Sequence, residues 1–295
     1  MKKLKIIVAF ALILLLGACD VDYFDNPNEP TSVPTSALFN NNAKRMVDNM
    51  YDMWWSGRFT YVTMQYWQQS EYGDEDRYVY RESMRQTQNT FYEIAENFRE
   101  IIRLNEDEST KDIAAGSGAN VNQIATCRVL LAYLQDQMVA TWGDLPYYSY
   151  GSDDPDFQAL SLAGSDEIIL QPAYASQEKI FADILNELDE AYNQFDENLP
   201  GMAGDNIYGG DVAAWKKFAA SLRLRIAHRI DGVAPGLAGP HIADAISDGV
   251  FESNADNAMF AYETNDANAS MSYRAWFVGN RSDFAVSHSF ITLLN

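Results

Sequence analysis

The chain has 295 residues, 21 Lys plus Arg against 42 Asp plus Glu, and a formal net charge of -21. Acids outnumber bases two to one, which excludes a phosphate backbone as partner, because releasing its counterions requires a basic patch. Hydrophobic residues make up 47%, enough to build a core, and two cysteines exclude a disulfide scaffold or a four-cysteine zinc site.

The chain opens MKKLKIIVAFALILLLGAC. Lys2, Lys3 and Lys5 precede an apolar run from Ile6 to Leu16. That run is too short to cross a bilayer core of about 30 Å, but it suits a signal-peptide core. Leu16, Gly17 and Ala18 before Cys19 form a bacterial lipobox. The thiol of Cys19 is then the lipid attachment point, and cleavage leaves it as the first mature residue. Residues 1–18 are read as a lipoprotein signal peptide; losing its three lysines takes the charge to -24. Several acyl chains anchor firmly, since each buried CH₂ contributes about 0.8 kcal/mol. Residues 19–36 carry Asp20, Asp22 and Asp25, are rich in Pro, and read as a lipidated tether. Residues 37–295 form the folded domain.

That domain reads as all-α. Ala37 to Trp55 has apolar residues at Leu38, Met46, Met50 and Met53/Trp54. Tyr51 to Tyr80 is rich in aromatics, mixed in its later part with amides and charges. Trp54, Trp55 and Tyr61 read as core residues at a helix end. Phe91, Ile94, Ala95, Phe98, Ile101 and Ile102 follow helical spacing, as do Ile124, Cys127, Leu131, Leu134 and Met138. Cys127 thus reads as a small buried hydrophobe. Gly143, Asp144 and Pro146 stop that helix, with Tyr147 and Tyr148 anchoring its exit. Residues 151–172 read as a surface loop.

Ser176 caps a helix over Gln177–Phe195, and Asp211 caps one carrying Val212, Trp215, Phe218, Ala219, Leu222 and Ile226. Arg223, Arg225 and Arg229 on that helix should pair with carboxylates such as Glu187 or Asp189. A shorter helix is expected over Ile242–Ile246. Phe59–Thr63 and Met259–Tyr262 are the best strand candidates. Phe284, Ser287, Phe290, Ile291 and Leu294 begin another helical pattern that stops at Asn295, and a C-terminally truncated chain is expected. Successive helix pairs suggest a tetratricopeptide-like superhelix with long loops.

NPNEPT (26–31), ATWGDLPYYSY (140–150), ASQEKIFADILNELDEA (175–191) and YGGDVAAWKKFAASLRLRIAHRI (208–230) occur in this order behind the lipobox. Together they resemble the SusD/RagB family of outer-membrane nutrient-binding lipoproteins. The resemblance covers nearly the whole mature chain. Ala220 departs from it, where the family often has Asn. The resemblance implies a helical fold and lipid-anchored display at the outer-membrane surface of a Bacteroidetes bacterium. It also implies a SusC-like TonB-dependent barrel as partner, and a glycan, or in some members a peptide, as ligand. Family members are usually longer and continue past a segment like Arg281–Asp283–Phe284.

No HExxH, GxSxG or phosphate-cradling glycine loop is present, and the three histidines lack zinc spacing. No enzyme and no cofactor are expected. The Asp153–Asp154–Asp156 cluster lacks EF-hand spacing, which leaves a structural calcium open and the metal content unknown. A sugar ring has one apolar face and a rim of hydroxyls, so its site needs an exposed aromatic surface beside polar groups. Trp67, Tyr72, Arg77 and Tyr78 form one candidate stretch, and Tyr273 and Trp276 a second; the two are expected to converge on one face. The rival readings are a helical-repeat scaffold that binds protein only, and a surface glycosidase.

Overall fold

The computed structural model describes residues 33–79, 85–160, 169 and 171–295. The expected signal peptide, Cys19 and most of the expected tether lie outside the described residues, as do Tyr80 and part of the 151–172 loop.

Six long helices are found among the described residues: α1 (Thr35–Met50), α2 (Arg85–Glu106), α3 (Asn120–Trp142), α4 (Gln177–Gln194), α5 (Val212–Ile230) and α6 (Pro235–Asp248). A short α7 (His288–Leu294) follows near the end. Each of α1 to α5 packs on the next in the chain, giving an all-α stack. Ser176 accepts from Lys179 N at 3.3 Å and Asp211 from Ala214 N at 3.1 Å, so both expected caps form.

α3 is the centre. Cys127, Val129, Leu134 and Val139 have no exposed surface, and the helix packs against α2, α4 and α5. Its residues from Asn122 to Ala132 are all buried, and so is Asp136, so their polar groups must find partners. Asn122 Nδ2 donates to the carbonyls of Asp196 and Leu199, and its Oδ1 accepts from Asp196 N. Gln123 accepts from Thr35 Oγ1 at 2.6 Å and donates to the carbonyls of Ala114 and Gly118. Arg128 forks onto Glu187 at 2.9 and 3.1 Å and reaches Glu190 at 2.7 Å. Asp136, 0% exposed, accepts from Arg225 at 3.3 Å and from Arg229.

The aromatic core completes the stack. Phe39 packs on Phe98 and Trp215, and Trp55 packs on Phe91 and Trp142. Asp205 fixes Trp215 by accepting from its Nε1 at 2.8 Å, and also accepts from the amides of Ile207, Tyr208 and Gly210. The loop that carries Asp205 needs glycine at two crossings. A Cβ on Gly201 would meet Gly210 O at 2.1 Å, and one on Gly118 would meet Gly201 O at 2.1 Å. The GDLPYYSY segment is structural: Gly143 has φ +73°, Asp144 accepts from Gln177 N at 2.8 Å, and buried Tyr147 donates to Asp183 at 2.8 Å.

Several expectations are corrected. α1 starts at Thr35 and ends at Met50, after which a π-helical turn, Met53–Thr60, takes over. Its wider winding turns Trp55 into the core and leaves Trp54 54% exposed, so Trp54 is not a core residue. Neither expected strand forms: Phe59–Thr63 is helical, and Met259–Tyr262 has no sheet partner. Among the described residues the two strands are β1 (Trp67–Gln69) and β2 (Phe284–Val286), so Phe284 begins a strand and not a helix. The expected carboxylate pairing does form for Arg223, with Asp189 at 2.7 Å, while Glu187 belongs to Arg128.

Two predictions follow from the α3 contacts. Replacing Arg225 and Arg229 together by Ala strands the Asp136 carboxylate in the interior and should cost about 3–5 kcal/mol in denaturant unfolding. Adding Asp136→Asn to that variant should recover part of the loss; no recovery would mean that charge burial is not its cause.

Burial outweighs the Arg128 fork at Glu187 and pushes its pKa up to about 7. The folded state then binds this proton more tightly than the unfolded chain, whose glutamate titrates near 4.5. Stability from this group is therefore present at low pH and lost as pH rises from about 4.5 through about 7. Glu187→Gln should flatten the change in unfolding free energy between pH 5 and pH 8 by on the order of 2 kcal/mol. An unaltered slope would contradict the assignment.

Candidate functional site

The site is assembled where regular helix gives way. After the π-helical turn the chain passes through Tyr61–Thr63, turns at Gln65 in the left-handed region (φ +57°), and enters β1. β1 pairs antiparallel with β2, Trp67 opposite Val286 and Gln69 opposite Phe284. Ser70 N donates to Asp283 O at 2.8 Å and Ser287 N to Tyr66 O at 3.0 Å, extending the ladder at both ends. A second π-helical turn, Arg274–Val278, carries Trp276.

This pairing brings the two predicted stretches together. The Trp67 ring lies 5.5 Å from Trp276 at 42°, 5.5 Å from Phe284 and 4.8 Å from Tyr61, centroid to centroid. Trp276 is 38% exposed, so the cluster opens to solvent. Strand alternation places Gln69 inward and Gln68 outward.

The other predicted residues surround this pair unequally. Tyr72 is exposed, with the Arg58 guanidinium 5.2 Å from its ring centre. Tyr78 is exposed, sits at φ +56°, and its hydroxyl accepts from Gln65 Nε2 at 2.9 Å. Arg77 is exposed and folds back over Gly73, where an added Cβ would lie 3.3 Å from its Nη2. Tyr273 is on the second stretch but stacks on Phe277 at 5.1 Å, not on Trp67. Among the described residues, three of the four non-glycine residues with positive φ, Gln65, Tyr78 and Asn280, lie in or beside these two stretches. Bulky residues held in that region store strain, which concentrates at functional sites.

Sequence reasoning missed the polar layer beneath the rings. Arg58 pairs with Glu75 at 2.6 Å, both largely buried, and lies 4.6 Å from the Trp54 ring. Gln69, with its amide nitrogen turned to Asp283, donates to Oδ2 at 3.2 Å while its oxygen accepts from Arg58 Nε at 3.3 Å. Arg281 Nε donates to Asp283 Oδ1 at 2.9 Å and holds that carboxyl below its usual range. A lone arginine among aromatics was the available signal for Arg58.

Among the described residues no three His, Cys, Asp or Glu converge as a metal site. Asp154 and Asp156 are taken by Lys179 at 2.6 and 2.7 Å. No helix among the described residues is long and apolar enough to cross a membrane. Cys127 is fully buried, and burial pushes its thiol pKa well up. A separate cleft of about 600 Å³ is lined by Tyr51, Tyr133, Phe218, Met259 and Arg225, and Arg225 is committed to Asp136 there.

The fold is shared with solved structures. A chitin-binding protein superposes with a TM-score of 0.68 at 22% identity, over 88% of this chain and 52% of that one. A SusD homolog from Bacteroides uniformis gives 0.61 at 21%, over 85% and 50%. A chitin-binding SusD homolog from Flavobacterium johnsoniae gives 0.62 at 20%, over 86% and 49%. The chain thus spans about half the length of the solved structures it matches. A comparison with curated proteins returned no match. The sequence model of the family SusD-like_2, described as "Starch-binding associating with outer membrane", matches residues 27–295. With nearly the whole chain matched and the helical architecture shared, this protein belongs to the SusD-like family.

Proposed function

We propose that this protein is a lipid-anchored, surface-exposed glycan-binding component of an outer-membrane uptake system, and that it hands its ligand to a SusC-like TonB-dependent barrel. The observation that carries the binding half of this reading is the Trp67–Trp276 pair, an aromatic surface joined from two distant stretches and open to solvent. The family description and two chitin-binding relatives of the same fold support a glycan over a peptide. The exposed rings count against a scaffold that binds protein only.

Binding needs no bond-making. A pyranose ring lays its apolar C–H face on the indoles of Trp67 and Trp276. Its hydroxyl rim is met by the polar groups that flank them, with Arg77, Tyr72 and Tyr78 on one side and Tyr273 on the other. The lipobox supports anchoring through Cys19, and the net charge gives the displayed body no affinity for an anionic surface.

Isothermal titration of chitohexaose and maltoheptaose into the wild-type chain should reveal binding of at least one of them. Trp67→Ala and Trp276→Ala should each weaken it by about tenfold, 1.4 kcal/mol. Unchanged affinity in both variants would sink the assignment. For the anchor, Cys19→Ser should move the protein from the detergent phase to the aqueous phase of a Triton X-114 partition. Retention in detergent would contradict lipidation at Cys19.

A further inference from the structure

Arg58 touches more of the site than any residue singled out by its sequence pattern. Its guanidinium lies over two exposed rings, Trp54 at 4.6 Å and Tyr72 at 5.2 Å. It makes a 2.6 Å ion pair with Glu75, with side-chain exposures of 11% and 5%. Through Gln69 it is joined to Asp283, and Asp283 is joined to Arg281. Arg281 in turn lies 5.2 Å from the Phe284 ring, which packs on Trp67. One continuous layer of charge and amide therefore runs from the π-helical turn at 53–60, under β1, to β2. Outside it lie Trp54 and Tyr72 at one end and Trp67 and Trp276 at the other.

A buried arginine in such a layer has a defined physical role. Replacing an ion pair by apolar residues often costs little stability, so the pair is better explained by geometry than by net energy. The planar fork fixes direction, and a desolvated cation over a ring face restrains the ring through its quadrupole. Tyr72 lies outside any helix or strand, so its ring orientation depends on such a contact.

We propose that Arg58 is the positioning residue of the binding face. It sets Trp54 and Tyr72 as a second aromatic station beside Trp67 and Trp276, and it ties the 67–72 segment to the 283–287 segment. It acts through those residues and does not itself contact the sugar. The identity of the ligand rests on the glycan reading above; the positioning role does not.

Two measurements on the full chain separate these ideas. The first is amide hydrogen exchange in the absence of any ligand. Arg58→Ala should speed exchange at least tenfold in peptides covering 67–72 and 283–287, with α2 to α5 unchanged. Arg58→Lys keeps the charge and loses the fork, so it should fall between. Unchanged exchange in both segments would overturn the proposal, as would loss of protection throughout the helices. The second is titration with chitohexaose and maltoheptaose. For whichever binds the wild type, Arg58→Ala and Tyr72→Ala should each weaken affinity about fivefold. The double variant should lose no more than Arg58→Ala alone, because the arginine acts through the ring. Full additivity, or wild-type affinity in Arg58→Ala, would overturn the second station. If the wild type binds neither sugar, the glycan reading fails, and the exchange result still decides the role of Arg58.

Discussion

Every residue of α3 from Asn122 to Ala132 is buried, as is Asp136 beyond them, and the scaffold follows from that. A polar group buried on such a helix must be met by protein, because an unpartnered one costs about 1–3 kcal/mol and a charge more. Asn122, Gln123, Arg128 and Asp136 meet the condition by reaching the 196–200 turn, α1, α4 and α5 respectively. Each contact fixes one neighbour in direction as well as distance. Apolar packing holds α4 and α5 against α3, and the Arg128–Glu187 and Asp136–Arg229 contacts tie each of them to it through named side chains.

The binding face uses the opposite material. It is built from two π-helical turns, two three-residue strands and residues in the left-handed region. None of these would persist alone, since a two-stranded ribbon is marginal at best. They are held by ring contacts around Trp67 and by the buried layer of Arg58, Glu75, Gln69 and Asp283. The body thus supplies rigidity, and the irregular segments present indoles and phenols that regular helices would have turned inward.

This division explains what could be read from sequence. The long helices were legible because burial on one face writes a 3.6-residue period, clearest from Phe91 to Ile102 and from Ile180 to Ala191. The caps at Ser176 and Asp211 were legible because their chemistry is local. The strands were not, since WQQ and FAV are too short to show alternation and their pairing joins residues far apart in the chain. Trp55 was read correctly as core and Trp54 was not: a π turn shifts the facing by one position, and no residue type announces it. The convergence of Trp67 with Trp276 was legible only as composition, two aromatic stretches with polar company and no helical period. Asp205 and Arg58 escaped because a charged residue in a loop reads the same whether it is solvated or buried under a ring.

The central claim is that a glycan lies on the Trp67–Trp276 surface. It is tested most directly by following the six tryptophan indole N–H signals by NMR during titration with chitohexaose or maltoheptaose. The account predicts saturable shifts for Trp67 and Trp276, while the core indoles of Trp55 and Trp215 stay in place. Saturable binding that leaves both Trp67 and Trp276 unmoved would contradict it.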